Sequence, residues 1–291
     1  MCGSIKDIKD VYPILFRREI APKTVHLKVR AFIVARKVMP GQFVIVRVKE
    51  KGERIPLSIC GFDRNKGIVE LIIQAVGRTS YEIFDMPEGT NFLDVVGPLG
   101  LPTHIGTFGT IVLIGGGYGS GAIVPMAKAL KEIGNKVYGI IGAREKSLLI
   151  FTDRLSKEVD KFFITTNDGS EGLNGLVTDA LSMIIQHETV NRIVAIGPVP
   201  MMRAVSDMTK PYGIPTMVSL NAIMVDGTGM CGACRVSIKG ETKFACMHGP
   251  EFSGHDVDFD ELIARQRTYV EKEQIALREY LKERGVYLCQ S

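Results

Sequence analysis

Strands that alternate with helices over residues 109–220 constrain the fold of this chain more than any other feature. The run GTIVLIG (109–115) is apolar throughout, and a Gly-rich turn leads from it into a stretch of helical periodicity, AIVPMAKALKEIG (122–134). The alternation repeats until a last apolar run, IPTMVSL (214–220). Because such strands are buried on both faces, the pattern predicts a parallel sheet covered by helices on both sides, with right-handed crossovers.

Residues 12–100 have a different pattern, which is typical of antiparallel strands. VHLKVR (25–30), GQFVIVRVKE (41–50) and GIVELIIQAVG (67–77) alternate apolar with polar residues and are rich in β-branched side chains. Turn residues such as Pro40-Gly41 separate them. Short strands with frequent turns predict a small antiparallel barrel or sandwich.

The two patterns and the residues after them predict a fold of the α/β plus β class in four parts. A β-barrel occupies residues 1–103, and a parallel-sheet domain occupies residues 104–219. A small cysteine-rich segment, too poor in apolar residues for a core of its own, covers 220–256. Helical periodicity and many charges predict one terminal helix within 257–291. This helix either caps the chain's own domains or docks a partner, and we favour docking.

Composition and charge exclude several classes of protein. The net charge of +4 is small for 291 residues, and no basic stripe interleaved with aromatic residues predicts nucleic-acid binding. Glycines interrupt the longest apolar runs, which argues against a membrane span, and residues 1–10 lack the apolar core of a secretory signal. We therefore expect a cytoplasmic protein without disulfides. In it, Cys2 and Cys289 are surface thiols and Cys60 is a core residue.

Three cysteines and an aspartate form the most specific motif. Asp226, Cys231, Cys234 and Cys246 have the spacing D-x4-C-x2-C-x11-C, which matches the plant-type [2Fe–2S] pattern with Asp in the first cysteine position. The glycines between them permit a tight loop, and ferric iron accepts an oxygen ligand. Two alternatives stay open: a zinc site of the same residues, with histidines 248 or 255 as alternative ligands, and a C-x-x-C pair with an incidental third cysteine. Structural zinc sites, however, usually present two pairs of ligands close in sequence, and this segment has one such pair.

Loops at the ends of three predicted strands are candidates for binding a nucleotide. The turn IGGGYGSGAI (114–123) would let the backbone approach a pyrophosphate at a helix N-terminus. IGPVPMM (196–202) and TTNDGS (165–170) also follow strands, where open α/β sheets bind ligands. After the second strand, Arg144 and Lys146 either pair with a 2′-phosphate or are solvated charges at a helix start.

Two motifs in the β-rich part suggest contacts to a phosphate or a ring. In RIPLSI (54–59), Arg54 has the chemistry to pair with a phosphate, and Ser58 has the chemistry to hydrogen-bond a ring or phosphate oxygen. The motif AVGRTS (75–80) offers backbone and hydroxyl donors to a pyrophosphate. The alternative for both is an exposed strand end followed by a helix cap, which Thr-Ser before a helix suits well.

Taken in this order, the motifs resemble those of the ferredoxin–NADP reductase superfamily. RIPLS and AVGRTS precede a Gly-rich nucleotide fold that ends in a GP-x-x-M turn, and the cysteine motif narrows the resemblance to the branch of the dihydroorotate dehydrogenase electron-transfer subunits. KGERIPLS, TTNDGS and MVDGTGMCGACRVS are similar to the small FAD subunits of NADH-dependent reduced ferredoxin:NADP oxidoreductase, also described as sulfide dehydrogenase. In those subunits Asp replaces the first cysteine.

The resemblance implies an NAD(P)H-dependent oxidoreductase subunit that carries FAD on the barrel, NAD(H) or NADP(H) on the parallel sheet, and a [2Fe–2S] cluster. Asp226, Cys231, Cys234 and Cys246 would hold the cluster, and no residue is required as a catalytic acid or base. The residues implied in binding FAD and the nicotinamide nucleotide are Arg54, Pro56, Leu57, Ser58, Ile72, Ile73, Gln74, Gly77, Thr79, Ser80, Gly115, Gly116, Gly117, Gly119, Gly142, Arg144, Asp168, Gly197, Pro198 and Met201.

The resemblance also implies a partner. The related small subunits pair with a larger subunit that holds a second flavin and [4Fe–4S] clusters, performs electron bifurcation and exchanges electrons with ferredoxin. Two other interpretations stay open. One is the electron-transfer subunit of dihydroorotate dehydrogenase or of a sulfide or polysulfide dehydrogenase, and the other is a non-catalytic, zinc-stabilised nucleotide-binding module.

Overall fold

The N-terminal part of the chain forms one antiparallel sheet of seven strands. The protein's computed structural model describes residues 12–285, so Cys2 and Cys289 lie outside the described residues. The strands are β1 (Tyr12–Ala21), β2 (Thr24–Arg30), β3 (Phe43–Arg47), β4 (Arg54–Asp63), β5 (Ile68–Gln74), β6 (Asn91–Phe92) and β7 (Asp94–Leu99). Their order is β6-β1-β2-β5-β4-β3-β7. Because only Leu93 separates the two edge strands in the chain, the sheet curls into a nearly closed barrel, as the sequence predicts.

Alternating side chains fill the barrel. Val25, Leu27 and Val29 of β2 are fully buried, and they pack with the inward-facing residues of the neighbouring strands. Two short helices, α1 (Phe32–Lys37) and α2 (Arg78–Phe84), belong to this part of the chain. The apolar alternation that predicts the strands is therefore the pattern that builds the barrel core.

The second part is a parallel sheet with helices on both faces, as expected. Its strands are β8 (Thr110–Gly116), β9 (Lys136–Ala143), β10 (Lys161–Thr166), β11 (Leu173–Asn174), β12 (Arg192–Ile196) and β13 (Thr216–Ser219). Its helices are α3 (Gly119–Glu132), α4 (Thr152–Glu158), α5 (Val177–His187) and α6 (Val199–Thr209). Ile111 and Leu113 of β8 pack with α3 and α4, whereas Val112 and Ile114 pack with α5 and α6. Strand β8 thus contributes to the hydrophobic cores on both faces of the parallel sheet.

The C-terminal part is joined to the parallel sheet. It contains β14 (Arg235–Ile238), β15 (Glu241–Phe244), α7 (Ala245–His248), β16 (Glu251–Ser253), α8 (Phe259–Gln266) and α9 (Val270–Glu283). Strand β16 pairs antiparallel with β13, with Val218 opposite Phe252, and extends the sheet to the order β11-β10-β9-β8-β12-β13-β16. A strand of three residues is too short to show in the sequence as an alternation. The cysteine-rich segment is thereby anchored to the sheet beside it.

The prediction of one terminal helix is wrong, because α8 and α9 are separate helices. Leu262 of α8 is buried in the core that the cysteine-rich segment shares with the parallel sheet. The last turn of α9 instead reaches the end of α2, where Tyr280 Oη donates to Asp85 Oδ2 at 3.1 Å. The break lets each helix pack on a different part of the chain, and neither Gly nor Pro marks it in the sequence. Partner docking by this region stays a prediction.

The lengths of the helices bear on one further expectation. No helix within residues 12–285 combines the length and the apolar composition needed to cross a membrane. The cytoplasmic location that the sequence suggests stays a prediction.

Glu70 of the barrel is the centre of a charged cluster that ties the barrel to the parallel-sheet part. Its Oε2 accepts from Arg154 Nη1 of α4 at 2.7 Å and lies 2.9 Å from His26 Nε2. Burial disfavours the charged carboxylate, but these two partners outweigh it and lower the pKa of Glu70 to about 2. His26, Cys60 and Glu70 offer ligand atoms within 4.8 Å of one another. Because Arg154 and Lys28 already neutralise the carboxylate, we assign no metal there.

We expect Glu70→Gln to lower the free energy of unfolding by about 2 kcal/mol at pH 7. The folded-state pKa of Glu70 lies below its ordinary value of 4.5, so the carboxylate contributes stability above that pH and loses it as the pH falls toward 2. Urea unfolding at pH 7 and pH 3 would measure the difference between wild type and variant. The control is Glu279→Gln at an exposed position of α9. An equal loss at both pH values would contradict the ionic role.

Candidate functional site

The residues from Asp226 to Cys234, here called the cluster loop, form a tight turn closed by the Asp226 carboxylate. Its Oδ1 accepts from the backbone N–H of Thr228 at 2.9 Å, and its Oδ2 accepts from that of Cys231 at 2.8 Å. The Thr228 hydrogen bond is the main cause that lowers the pKa of Asp226. Gly227 and Gly229 have φ angles of 74° and 83°, which side chains rarely adopt. The loop therefore holds an ionised carboxylate beside Cys231.

Two of the three cysteines lie side by side beneath the loop. Cys234 and Cys246 are buried, and their sulfur atoms are 3.2 Å apart. Thiolates bound tetrahedrally at about 2.3 Å from one metal ion are roughly 3.8 Å apart, so a small adjustment would let both bind one iron. Burial, and then Cys234, raise the pKa of Cys246 to about 12, so the Cys246 thiol needs a bound cation to ionise. Cys231 is exposed and lies next to Asp226 instead.

This pairwise arrangement suits two irons better than one zinc. Among residues 12–285, the only group of three or more possible ligand atoms within 4.8 Å of one another is the His26 cluster, so the four motif residues do not converge on a single point. The two histidines considered as alternative ligands have other partners. His248 Nδ1 accepts from the backbone N–H of Phe244, and His255 Nε2 lies 2.9 Å from Thr209 Oγ1. The residues fit a [2Fe–2S] cluster, with Cys234 and Cys246 on one iron.

A cavity of about 400 Å³ lies at the carboxyl ends of the parallel strands. It brings together seven of the residues proposed from the sequence: Gln74, Gly116, Gly117, Gly142, Arg144, Pro198 and Met201. The other residues in its wall include Thr24, Tyr118, Leu148, Ile150, Thr165, Asn167, Thr178 and Pro200. Thr24 and Gln74 belong to the barrel, so both parts of the chain build this cavity. Its size and position suit a nicotinamide nucleotide.

Glycines in the turn between β8 and α3 bring the backbone close to the cavity. A Cβ on Gly119 would lie 2.2 Å from the carbonyl oxygen of Ile196, so only glycine lets α3 pack this closely on β12. At Gly117, φ is 55° and nothing lies within 4 Å of where a Cβ would be. Gly119 thus permits close packing between helix and strand, and Gly117 leaves open space where a phosphate group would lie.

Several residues proposed from the sequence lie outside the cavity wall. A Cβ on Gly115 would lie 2.6 Å from Ser120 Cα, and a Cβ on Gly197 would lie 2.7 Å from Met201 Cε, so both glycines permit close packing. The Asp168 carboxylate accepts from the backbone N–H and the hydroxyl of Ser170, and this hydroxyl is the first cause that lowers the pKa of Asp168. Asp168 thus shapes its own turn, while Asn167 beside it lines the cavity.

The two basic residues after β9 have different surroundings. Lys146 Nζ pairs with Glu171 Oε2 at 2.8 Å, whereas Arg144 is exposed and lines the cavity. Of the two residues that the sequence offers to a 2′-phosphate, only Arg144 faces the cavity without a carboxylate partner among residues 12–285.

The RIPLS motif lies on β4 with its polar residues on one face. Arg54, Pro56 and Ser58 alternate with Ile55 and Leu57, which pack against the barrel core. The interval between Arg54 and Ser58, one residue longer than the usual R-x-x-S, places both side chains on the outward face. On the neighbouring strand β5, Ile73 is buried in the barrel core, and Ile72 packs against Ile150 from the parallel-sheet part.

The AVGRTS motif forms the start of α2, and its hydroxyls are engaged within the motif and with Glu53. Ser80 Oγ accepts from the backbone N–H groups of Val76 and Gly77 at 2.9 Å each, and Thr79 Oγ1 donates to Glu53 at 2.5 Å. The helix-cap alternative thus describes Ser80, whereas Thr79 binds a carboxylate outside the motif. Gly77 is extended, with nothing within 4 Å of where a Cβ would be. The N–H groups of the first helical turn that follows Gly77 remain open to a pyrophosphate.

Comparisons with known proteins agree with this geometry. Residues 221–258 match the iron–sulfur cluster binding domain of dihydroorotate dehydrogenase B. A Thermotoga maritima homologue of the electron transfer subunit of dihydroorotate dehydrogenase B (NAD(+)) is 45% identical over 87% of this chain and 89% of that protein. A chain from the structure of NADH-dependent reduced ferredoxin-NADP oxidoreductase, solved to study flavin-based electron bifurcation, is 40% identical. It superimposes with a TM-score of 0.89 over 97% of this chain and 100% of that one.

More distant structures show the same fold. Phthalate dioxygenase reductase, a modular structure for electron transfer from pyridine nucleotides to [2Fe–2S], is 18% identical with a TM-score of 0.57, over 78% of this chain and 86% of that one. The barrel and the parallel sheet therefore have the architecture that the sequence motifs predict.

Proposed function

This chain belongs to the family of dihydroorotate dehydrogenase B electron transfer subunits and their homologues, and from that premise we propose that it passes electrons between a nicotinamide nucleotide and a partner subunit. It is an oxidoreductase subunit of the ferredoxin–NADP reductase type, with FAD, NAD(P)H and a [2Fe–2S] cluster as its cofactors. The observation that carries the proposal is the cavity shared by barrel and parallel sheet, with a cluster loop in the same chain.

Each cofactor has residues that fit it. We place the nicotinamide nucleotide in the cavity (residues 104–219 with a wall from the barrel), where Gly117 leaves room for its phosphates and Arg144 offers a cation. We place FAD on the barrel (residues up to 103), with Arg54 and Ser58 on the open face of β4, and its pyrophosphate in the empty space beside Gly77 at the start of α2. A bound flavin would supply the change between two-electron and one-electron transfer.

The cluster ligands are Asp226, Cys231, Cys234 and Cys246 in this proposal. Cys234 and Cys246 would bind one iron, because their sulfur atoms are adjacent. Asp226 and Cys231 would bind the other, since the Asp226 carboxylate already lies beside the Cys231 backbone. The loop glycines let backbone N–H groups approach the cluster sulfurs and stabilise their negative charge.

A partner subunit would dock over the cluster loop. Three apolar side chains project from this region: Met230, which is 88% exposed, and Val225 and Met247, each 49% exposed. Flexible methionines are common at binding surfaces. We propose that the partner is a larger flavin and [4Fe–4S] subunit that exchanges electrons with ferredoxin and performs electron bifurcation, as the similarity to the bifurcating oxidoreductase suggests.

The electron transfer subunit of dihydroorotate dehydrogenase itself is the second candidate, favoured by the match of residues 221–258. Co-purification from the native host would distinguish the two. A [4Fe–4S] partner that couples NAD(P)H to ferredoxin would support the first, whereas dihydroorotate-dependent reduction of NAD⁺ would support the second. Visible flavin and iron–sulfur absorption in the purified chain would support both, and a colourless protein that contains zinc would contradict both.

We expect Gly77→Ala to fold normally and to bind FAD about tenfold more weakly. The backbone at Gly77 is extended and the space around it is empty, so the added methyl group strains nothing in the protein itself. It would occupy the place proposed for the flavin pyrophosphate. Thermal unfolding of the flavin-free protein and fluorescence titration with FAD would measure the two quantities. Unchanged FAD affinity would remove Gly77 from the site.

A further inference from the structure

We propose that helix α8 couples the nucleotide cavity to the cluster loop, with Tyr118, Asn221 and Gln266 as the positioning residues that make the connection. The proposal rests on the proposed function, since it takes the cavity to bind a nicotinamide nucleotide and the cluster loop to hold iron. The connection consists of three links, made by four hydrogen bonds between described residues.

The first link leads out of the cavity. Tyr118 lines the cavity at the start of α3, between the open Gly117 and the tightly packed Gly119. Its hydroxyl accepts a hydrogen bond of 3.3 Å from Asn221 Nδ2, at the beginning of the cysteine-rich segment. With 41% of its surface exposed, the ring has room to move. A ligand that fills the cavity therefore contacts a side chain whose other end is attached to the segment that carries the cluster.

The second link fixes the orientation of Asn221. Gln266 Nε2 donates to the backbone oxygen of Asn221 at 2.9 Å and to its side-chain Oδ1 at 3.0 Å. With Oδ1 held by Gln266, the amide nitrogen of Asn221 faces the Tyr118 hydroxyl. A displacement of that hydroxyl is thus transmitted to Gln266, the last residue of α8.

The third link reaches the cluster loop. Arg265, the neighbour of Gln266, donates from Nη2 to the carbonyl oxygen of Ala233 at 3.1 Å. Ala233 lies between the proposed ligands Cys231 and Cys234. Arg265 and Gln266 are adjacent in the last turn of helix α8, and the buried side chains of Phe259 and Leu262 anchor the other part of the helix. A shift at Gln266 therefore changes the position of Arg265 and the carbonyl that Arg265 holds.

The expected consequence is a coupling between nucleotide binding and the cluster loop. Nucleotide in the cavity would order Tyr118 and, through α8, the loop. Such coupling is reciprocal. Nucleotide binding would change the reduction equilibrium of the cluster by some factor, and reduction of the cluster would change nucleotide affinity by the same factor. We expect a factor of about five, at the lower end of the usual range for coupled sites.

Hydrogen exchange of the holoprotein, with and without saturating NAD⁺ or NADP⁺, tests the connection. In the wild type, bound nucleotide should slow exchange at residues 115–121 and, by about fivefold, at residues 228–233. Tyr118→Phe removes only the hydroxyl, so it should keep the effect at 115–121 and lose the effect at 228–233. Gln266→Leu, which breaks the second link, should give the same result.

Matched controls and a second readout sharpen the test. Tyr212→Phe and Gln186→Leu change the same side-chain types at positions away from the cavity, and both should behave as the wild type. Redox titration followed by the cluster's paramagnetic signal should show a nucleotide-dependent shift of the midpoint potential that is lost in Tyr118→Phe and in Gln266→Leu.

Two kinds of failure are distinguishable. If nucleotide protects residues 115–121 but not 228–233 in the wild type, or if both variants keep the protection of the loop, the coupling is overturned while the nucleotide site stands. If neither NAD⁺ nor NADP⁺ protects residues 115–121 in the wild type, the proposed function itself fails, and the coupling fails with it.

Discussion

The purified Cys234→Ala protein should keep its flavin absorption and lose all visible iron–sulfur absorption, together with the paramagnetic signal of the reduced cluster. Cys234 is buried with its sulfur 3.2 Å from that of Cys246, so its removal would take away one of the two protein ligands proposed for one iron. His248 lies near, but its Nδ1 accepts from the backbone of the same turn and is not free to replace the thiolate. We therefore expect complete loss rather than a weakened cluster. Absorption and paramagnetic resonance spectra of the anaerobically purified variant would measure it.

Two companion variants test whether the loss is specific. Cys60→Ala removes an equally buried thiol outside the loop and should leave the cluster intact. Asp226→Cys should also keep a cluster, with a lower midpoint potential, because a thiolate donates more charge to iron than a carboxylate does. An intact [2Fe–2S] signal in Cys234→Ala would refute the ligand assignment, and an unchanged potential in Asp226→Cys would show that Asp226 is not a ligand.

Local patterns in the sequence predict most of the fold. The buried β8 run with the glycines after it predicts a strand, a turn and a helix, and the structure contains these elements with small shifts at their ends. The cysteine motif is equally local, since a loop of nine residues brings Asp226 beside Cys231. In both cases, residues that are close in the chain are also close in space, so their spacing in the sequence is enough to predict their arrangement.

Features that depend on distant contacts could not be predicted in this way. Thr24 lines the cavity proposed for the nucleotide only because the barrel packs against the parallel sheet, and no motif surrounds it in the sequence. The break between α8 and α9 follows from two separate packing surfaces rather than from a helix-breaking residue. Ser80, which the sequence offers either to a pyrophosphate or to a helix cap, accepts from two backbone N–H groups of its own turn and donates to the Gly77 oxygen. The type of this residue can be read from the sequence, but its hydrogen-bond partners depend on how the turn folds.

The proposed nucleotide site depends most strongly on a contact that a single methyl group would destroy. We expect Gly119→Ala to lower the free energy of unfolding by about 3 kcal/mol and nucleotide affinity by at least roughly tenfold. Alanine is ordinarily favoured over glycine in a helix by about 1 kcal/mol, so helix propensity alone predicts the opposite sign for stability. The added Cβ, however, would lie 2.2 Å from the Ile196 oxygen and 2.7 Å from its carbonyl carbon. Both are backbone atoms of β12 and cannot rotate away, so the start of α3 must move.

Gly117→Ala, two residues earlier, is the matched control for this prediction. Its φ of 55° makes a side chain costly by about 1 kcal/mol, but no atom lies within 4 Å of the added methyl group. Gly117→Ala should therefore weaken nucleotide binding with little loss of stability, whereas Gly119→Ala should lose both. Denaturant unfolding and titration with NAD⁺ and NADP⁺ separate the two effects. If Gly119→Ala proved as stable as the wild type, the close approach of α3 to β12 could not be what positions the Gly-rich turn.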